Sequence, residues 1–227
     1  MSKRLLLWDI DATLITTGGA GDQALKRIVA RRYRADDDLR DIEIAGRTDT
    51  AIVRSILQKY GVAATAETVG GFLEEYLEHL GQLLPQLRGR VMPGVAEILE
   101  HLHPNTDRVL ALLTGNLRRG AQLKLQRYGL WAYFEFGAFA DDHHDRNELG
   151  AFARHRAEEK HGHGFDAAEI DVIGDTGHDI ACGKIFGART IAVATGTWTP
   201  EELAAHQPDF LFNDLSDVAG VIDELGW

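Results

Sequence analysis

The chain carries one cysteine, Cys182, in 227 residues. That excludes an internal disulfide and any zinc site built from several thiolates. Cys182 falls in a half-apolar helical stretch, where a lone cysteine reads as a small core residue rather than a reactive thiol. No window approaches the roughly eighteen consecutive apolar residues of a membrane-spanning helix, and LLLW follows the basic MSKR without a small-residue cleavage site, so the expected location is the cytoplasm. Basic residues are scarce beside acidic ones. The 24 Lys and Arg face 35 Asp and Glu, for a formal net charge of −11. Phosphate backbones are bound by clustered Lys and Arg, so this balance argues against a nucleic-acid partner. Internal repeats and low-complexity tracts are absent as well.

What is present is the composition of a globular protein, with 44% hydrophobic and 26% charged residues. The length allows one large domain or a core carrying a smaller insertion. Short apolar runs closed by Asp, Gly or Thr recur at RLLLWD (4–9), RVLALLTG (108–115), IDVIGD (170–175), RTIAVATG (189–196) and DFLFND (209–214). Several are continuously apolar, which suits parallel strands covered on both faces. YFEFGAF (133–139) is a further strand candidate. Between the runs lie helical stripes, such as Val95, Ile98, Leu99 and Leu102, and Ile180, Ala181 and Ile185 before Gly187. Thr199, Pro200 and Glu202 form a capping-box start. The second half thus predicts an α/β fold with a doubly wound parallel sheet.

The stretch from about residue 20 to 88 has three helical stripes and no convincing strand. They run through Leu25, Ile28, Val29 and Tyr33; through Ile52, Val53, Ile56, Leu57 and Tyr60; and through Phe72, Leu73, Tyr76, Leu77, Leu80 and Leu84. The expected organisation is a core of residues 1–18 and 89–227 with a helical cap over 19–88. TTGGAG (16–21) and LRGRVMPG (87–94) are its two connections, with glycines that suit a hinge.

Ligands of open parallel sheets collect beyond the carboxyl ends of the strands. Three runs here end in polar residues: Asp9 and Asp11, then Thr114, Gly115 and Asn116, then Asp175 with Asp179 four residues on. Brought together, four carboxylates repel strongly unless protonated or neutralised by a cation. Mg²⁺ suits two or three carboxylates together with water and a substrate phosphate. An aspartate can act as a nucleophile towards phosphorus, and a second carboxylate nearby can exchange protons with the leaving oxygen and with water.

DIDAT, LLTGN and GDTGHD, in this order and each at a strand end, resemble the motifs of the haloacid dehalogenase superfamily in its phosphatase branch. The first matches DxDx[TV] through Asp9, Asp11 and Thr13; Thr114 matches the strand-terminal Thr or Ser; Asp175 and Asp179 match GDxxxD. PGVAEILEHL (93–102) resembles the segment where that family's chain re-enters its core after the cap. The resemblance implies a Rossmann-type core with an inserted helical cap. It implies that Asp9 attacks phosphorus and that Asp11 is general acid and base. Thr114 would hydrogen-bond the phosphoryl oxygens, with Gly115 and Asn116 beside the substrate. Asp9, the Asp11 backbone carbonyl and Asp175 would hold Mg²⁺, and Asp179 would be either a ligand through water or an anchor behind the others. The implied substrate is a small phosphorylated metabolite, hydrolysed as in phosphoglycolate phosphatase-like relatives. A phosphomutase of the β-phosphoglucomutase type and a non-catalytic binding protein of the same fold are the alternatives, and the oligomeric state is not indicated.

Two departures from the family stand out. Ala12 occupies the position that is usually Gly, and the basic residue normally found in a KP dipeptide upstream of GD has no KP to supply it. Arg146, 29 residues before Asp175 and just ahead of a helical pattern, is the expected replacement; Lys160 is the rival. Arg47 in GRTDT (46–50) is expected to face the core from the cap and contact the substrate's non-reacting end, while Thr48 or Asp49 caps the following helix. The pairs His143 and His144, and His161 and His163, read as solvated loop histidines rather than ligands of a transition metal. His178, inside GDTGHD, receives no role.

Overall fold

The computed structural model describes residues 3–227; Met1 and Ser2, which open the basic segment mentioned above, lie outside them. Six strands form one sheet: β1 (Arg4–Trp8), β4 (Arg108–Leu113), β5 (Gly137–Ala138), β6 (Ile170–Gly174), β7 (Arg189–Val193) and β8 (Phe210–Phe212). They lie in the order β5-β4-β1-β6-β7-β8, and every pairing is parallel. The α/β class and the doubly wound sheet are therefore as the sequence predicts.

The continuous apolar runs follow from cover on both faces. Leu6 and Trp8 of β1 pack with α4 (Val95–Leu102), α5 (Arg118–Arg127) and α9 (Val218–Leu225) on one side. Leu5 and Leu7 pack with α6 (Arg146–His161) and α7 (Gly177–Ile185) on the other. Cys182 sits in that second layer, fully buried. Burial pushes its thiol up to about 11, in keeping with a core residue. The helix α8 (Pro200–Ala205) opens with the capping box of Thr199 and Glu202.

YFEFGAF contributes less strand than its composition suggests. Trp131–Tyr133 form a single 3₁₀ turn, and Gly137–Ala138 alone pair with β4. Phe134 and Phe139 on either side turn into the core, so the segment ties the sheet edge down by packing rather than by a long ladder.

Between β1 and β4 the chain builds α1 (Ala20–Tyr33), α2 (Asp49–Lys59) and α3 (Ala66–Leu83), whose apolar stripes meet in a core of their own. The two connections to this helical unit pair with each other, a feature the sequence reading lacks. Ile15–Thr16 (β2) lies antiparallel to Arg90–Val91 (β3). A Cβ on Gly89 would stand 2.0 Å from the Thr16 carbonyl oxygen. That glycine serves close approach of the two crossing chains.

Candidate active site

β1 is flanked by β4 on one side and β6 on the other, so the carboxyl ends of these three strands form the crevice where the sheet's winding reverses. Asp9 stands immediately past β1 and continues its ladder, donating its backbone N–H to the Ile173 carbonyl at 2.9 Å. A tight turn follows, with Ala12 N–H on the Ile15 carbonyl at 2.7 Å and Leu14 N–H on the Ile10 carbonyl at 2.9 Å. Ala12 takes the left-handed region, φ 62°, at the position where the family has Gly. The turn persists with a methyl group, and Thr195 Oγ1 donates to the Ala12 carbonyl at 2.6 Å.

This turn sends the two aspartates to different partners. Arg146, at the start of α6, donates from Nη2 to Asp9 Oδ1 at 2.9 Å, also reaches Asp179 Oδ1, and donates from Nη1 to the Gly46 carbonyl at 3.1 Å. Its rival Lys160 pairs with Glu135 at 2.6 Å, far along α6. Asp11 Oδ2 instead accepts from Lys124 Nζ at 2.6 Å and from Asn116 Nδ2 at 2.8 Å. Thr114, fully buried at the end of β4, accepts at Oγ1 from the same Asn116 amide at 2.8 Å.

Asp175 follows β6 and accepts from Thr13 Oγ1 at 3.2 Å. Asp179 is fully engaged. One oxygen meets Arg146, and the other accepts from the Thr176 backbone N–H at 3.0 Å and its hydroxyl at 2.7 Å, in the capping box of α7. Burial is the largest influence on Asp9 and raises its proton affinity; the Arg146 guanidinium opposes this, and the Asp179 and Asp11 carboxylates add to the rise, which prevails. Asp175 is raised well above the usual carboxylate range by burial first, then by Asp179 and Asp9.

These directions test whether a hard cation fits. Four carboxylates face two cations, Arg146 and Lys124, which leaves an excess of two negative charges when all are ionised. The donors left over are all oxygens, and Asp9 and Asp175, raised chiefly by burial, also feel the neighbouring carboxylates. A divalent oxygen-binding ion such as Mg²⁺ fits this set, with two carboxylates, a main-chain carbonyl and water. Among the described residues no group of three His, Cys, Asp or Glu side chains is placed to hold a metal by side chains alone.

A cavity of about 280 Å³ opens over Asp9, Asp11, Asn116, Lys124, Arg146 and Asp175 and is roofed by the helical unit. The roof rests on the core through a seam of hydrogen bonds. Asp49 N–H donates to the Gly115 carbonyl at 2.7 Å, Leu117 N–H to Asp49 Oδ2 at 2.8 Å, Thr48 Oγ1 to the His144 carbonyl at 2.5 Å, and Thr50 Oγ1 to the Ala140 carbonyl at 3.2 Å. Thr48 rather than Asp49 caps α2, accepting from Ala51 N–H. Gly115 meets the Arg47 main chain so closely that a Cβ would lie 2.2 Å from the Arg47 carbonyl oxygen. The Arg47 side chain lines the cavity, half-exposed, with Nε 3.8 Å from a Glu43 carboxylate oxygen. His178 pairs with Glu43 at 2.8 Å, at the edge of the seam.

Two residues escape the sequence reading. Asp49 lines the cavity with its carboxyl pushed up to about 6 by burial, against the pull of Lys124. Lys124 lies on the buried face of α5 beside Ala121 and Leu125. A lysine within a helix's apolar stripe is the signal that marks it, since a buried ammonium needs a partner.

The family model of haloacid dehalogenase-like hydrolases matches residues 6–184. The chain belongs to that family. Among the relatives of these hydrolases, the protein named "Probable phosphatase IndB" of Dickeya dadantii is 29% identical over 227 residues, covering 98% of this chain and 95% of the relative. A phosphoglycolate phosphatase of Vibrio parahaemolyticus is 25% identical over 226 residues, covering 96% of each chain. The crystal structure of a hydrolase from Pseudomonas syringae superposes with a TM-score of 0.76 at 20% identity, over 98% of this chain and 99% of the other; that likeness is one of fold.

Proposed function

We propose that this haloacid dehalogenase-like hydrolase is a Mg²⁺-dependent phosphatase that cleaves a small phosphomonoester through an aspartyl-phosphate. The observation that carries the reading is Asp9: a buried carboxylate past the end of β1, at the floor of a roofed cavity, with Arg146, Thr114, Asp11 and Asp175 around it. Mg²⁺ would be held by Asp9, Asp175 and the Asp11 carbonyl, and would neutralise charge on the phosphoryl oxygens. With both oxygens engaged, Asp179 suits the role of anchor for Arg146 and the α7 cap rather than ligand.

An Asp9 oxygen attacks phosphorus, the phosphorus–oxygen bond to the alcohol breaks, and the leaving oxygen takes a proton from Asp11. Water then attacks the phosphoryl group, gives a proton to Asp11, and the Asp9–phosphorus bond breaks to free inorganic phosphate. Arg146 holds Asp9 in line and offsets its charge, as the family's lysine would. Thr114 donates its hydroxyl to a phosphoryl oxygen, and the closed roof excludes water during the first transfer. A cavity of about 280 Å³ suits a small metabolite, with Arg47, Asp49 and Tyr76 of the helical unit facing its non-reacting end.

Phosphate release from a panel of phosphomonoesters, with Mg²⁺ and with EDTA, tests this reading. Turnover is expected only with the metal, and Asp9→Asn is expected to lose on the order of 10⁴-fold or more. Metal-independent release, or none from any ester, would count against the proposal, and transfer of the phosphoryl group to a sugar phosphate in place of water would identify a mutase.

A further inference from the structure

Lys124 is a buried cation beside the aspartates that the reaction above does not use. Its side chain is 4% exposed, and its Nζ lies 2.6 Å from Asp11 Oδ2 and 2.5 Å from Asn116 Oδ1. Asn116 completes a triangle, since its Nδ2 donates to the same Asp11 oxygen and to Thr114 Oγ1. An ammonium in this setting is costly to bury unless its partners are well placed, and here both are. Asp11 Oδ2 therefore receives two donors, one charged, which occupy both of its lone pairs. The Asp11 side chain is 46% exposed, and the residue lines the cavity. Among the described residues no protein donor meets its other oxygen, Oδ1.

We infer that Lys124 is a positioning residue for proton transfer. By occupying Oδ2 together with Asn116, it leaves Oδ1 as the oxygen of Asp11 that gives a proton to the departing alcohol and takes one from water. When the phosphorus–oxygen bond breaks and the proton passes from Oδ1 to the alcohol oxygen, the carboxylate left behind is already faced by an ammonium at the opposite oxygen. The benefit is greatest where the leaving oxygen most needs its proton. Separating this cation from Arg146 also keeps Asp11 from competing with Asp9 for one guanidinium.

This inference rests on the phosphatase reading, and leaving-group chemistry separates the two. An alkyl phosphomonoester expels a basic alkoxide unless it is protonated, whereas 4-nitrophenyl phosphate expels a phenolate that needs no proton. The quantity to compare is kcat/KM, which contains only steps up to loss of the alcohol. Lys124→Met is expected to lose on the order of 10²-fold with the best alkyl ester and only about two- to threefold with the aryl ester. Lys124→Arg is expected to recover part of the alkyl rate. Equal losses on both esters would reduce Lys124 to a structural support and overturn the inference, as would an unchanged alkyl rate. If Lys124→Met fails to fold by circular dichroism, the same comparison on Lys124→Gln decides the matter. A wild-type protein inert towards every ester would instead sink the phosphatase reading.

Discussion

Asp9 and Asp11 lie two residues apart, yet each is held by a different cation from a different helix. Arg146 comes from α6 and Lys124 from α5. The turn that parts them depends on Ala12 at φ 62°, a conformation that costs an L-residue roughly 1–2 kcal/mol. Ala12→Gly should therefore stabilise the protein by about 0.5–1 kcal/mol after the greater entropy of the unfolded glycine is counted. The expected rise in Tm is roughly 2 °C for a chain of this size, with phosphate release unchanged. A fall in Tm would show that the Thr195 hydrogen bond and its neighbours accommodate the methyl group without strain.

At the scale of the element, legibility followed periodicity. The strands of the sheet and all three helical stripes were readable because cover on both faces and on one face leaves distinct patterns in sequence. The aspartates stand out at strand ends in the sequence alone, whereas Thr114 and Arg146 are singled out only by the resemblance to the family's motifs and its absent KP. What escaped was made by contacts distant in sequence: the β2–β3 ladder, whose strands have two residues each, and Lys124, whose meaning lies in an aspartate on another element. YFEFGAF supplies a strand as expected, but only the two residues of β5, since aromatic residues are favoured in cores as well as in strands and Phe134 and Phe139 go to the core.

The same scale governs the roof. Gly115 at the end of β4 touches the main chain of residue 47, leaving no room for a side chain. Gly115→Ala should hold the helical unit off its seat, with kcat/KM falling by on the order of 10²-fold through misplacement of the roof, and Tm changing little. Steady-state kinetics together with hydrogen exchange at Thr48–Thr50 would check this: normal kinetics with full protection would mean that closure does not need the contact.

For the molecule as a whole, the raised carboxyls give stability a pH dependence of definite sign. Asp9 and Asp175, and Asp49 at about 6, bind protons in the folded metal-free state at pH values where the unfolded chain has lost them. Stability of the metal-free protein should then fall as pH rises above the ordinary carboxylate range and through these raised values. Mg²⁺ held by Asp9 and Asp175 as proposed would compete with those protons. Its stabilisation, about 2.7 kcal/mol at a hundredfold excess over Kd, should therefore be larger near pH 7.5 than near pH 5. Thermal melts with Mg²⁺ and with EDTA at both pH values give the test, and equal shifts at the two would deny that the ion sits on these carboxylates.

The seam between roof and core is written largely in main-chain atoms: the carbonyls of Gly46, Gly115, Ala140 and His144, and the N–H groups of Asp49 and Leu117. Four of these five bonds are completed by a side chain, from Thr48, Asp49, Thr50 or Arg146, so the roof's grip on the core depends on those four and not on the side chain of residue 47. Arg47, half-exposed over the cavity, takes no side-chain part in these bonds, whereas Tyr76 is buried in the helical unit's own core. The seat of the roof and the cavity-facing side chain of Arg47 are thus carried by different atoms, so position 47 can vary while Thr48, Asp49 and Thr50 keep the roof in place.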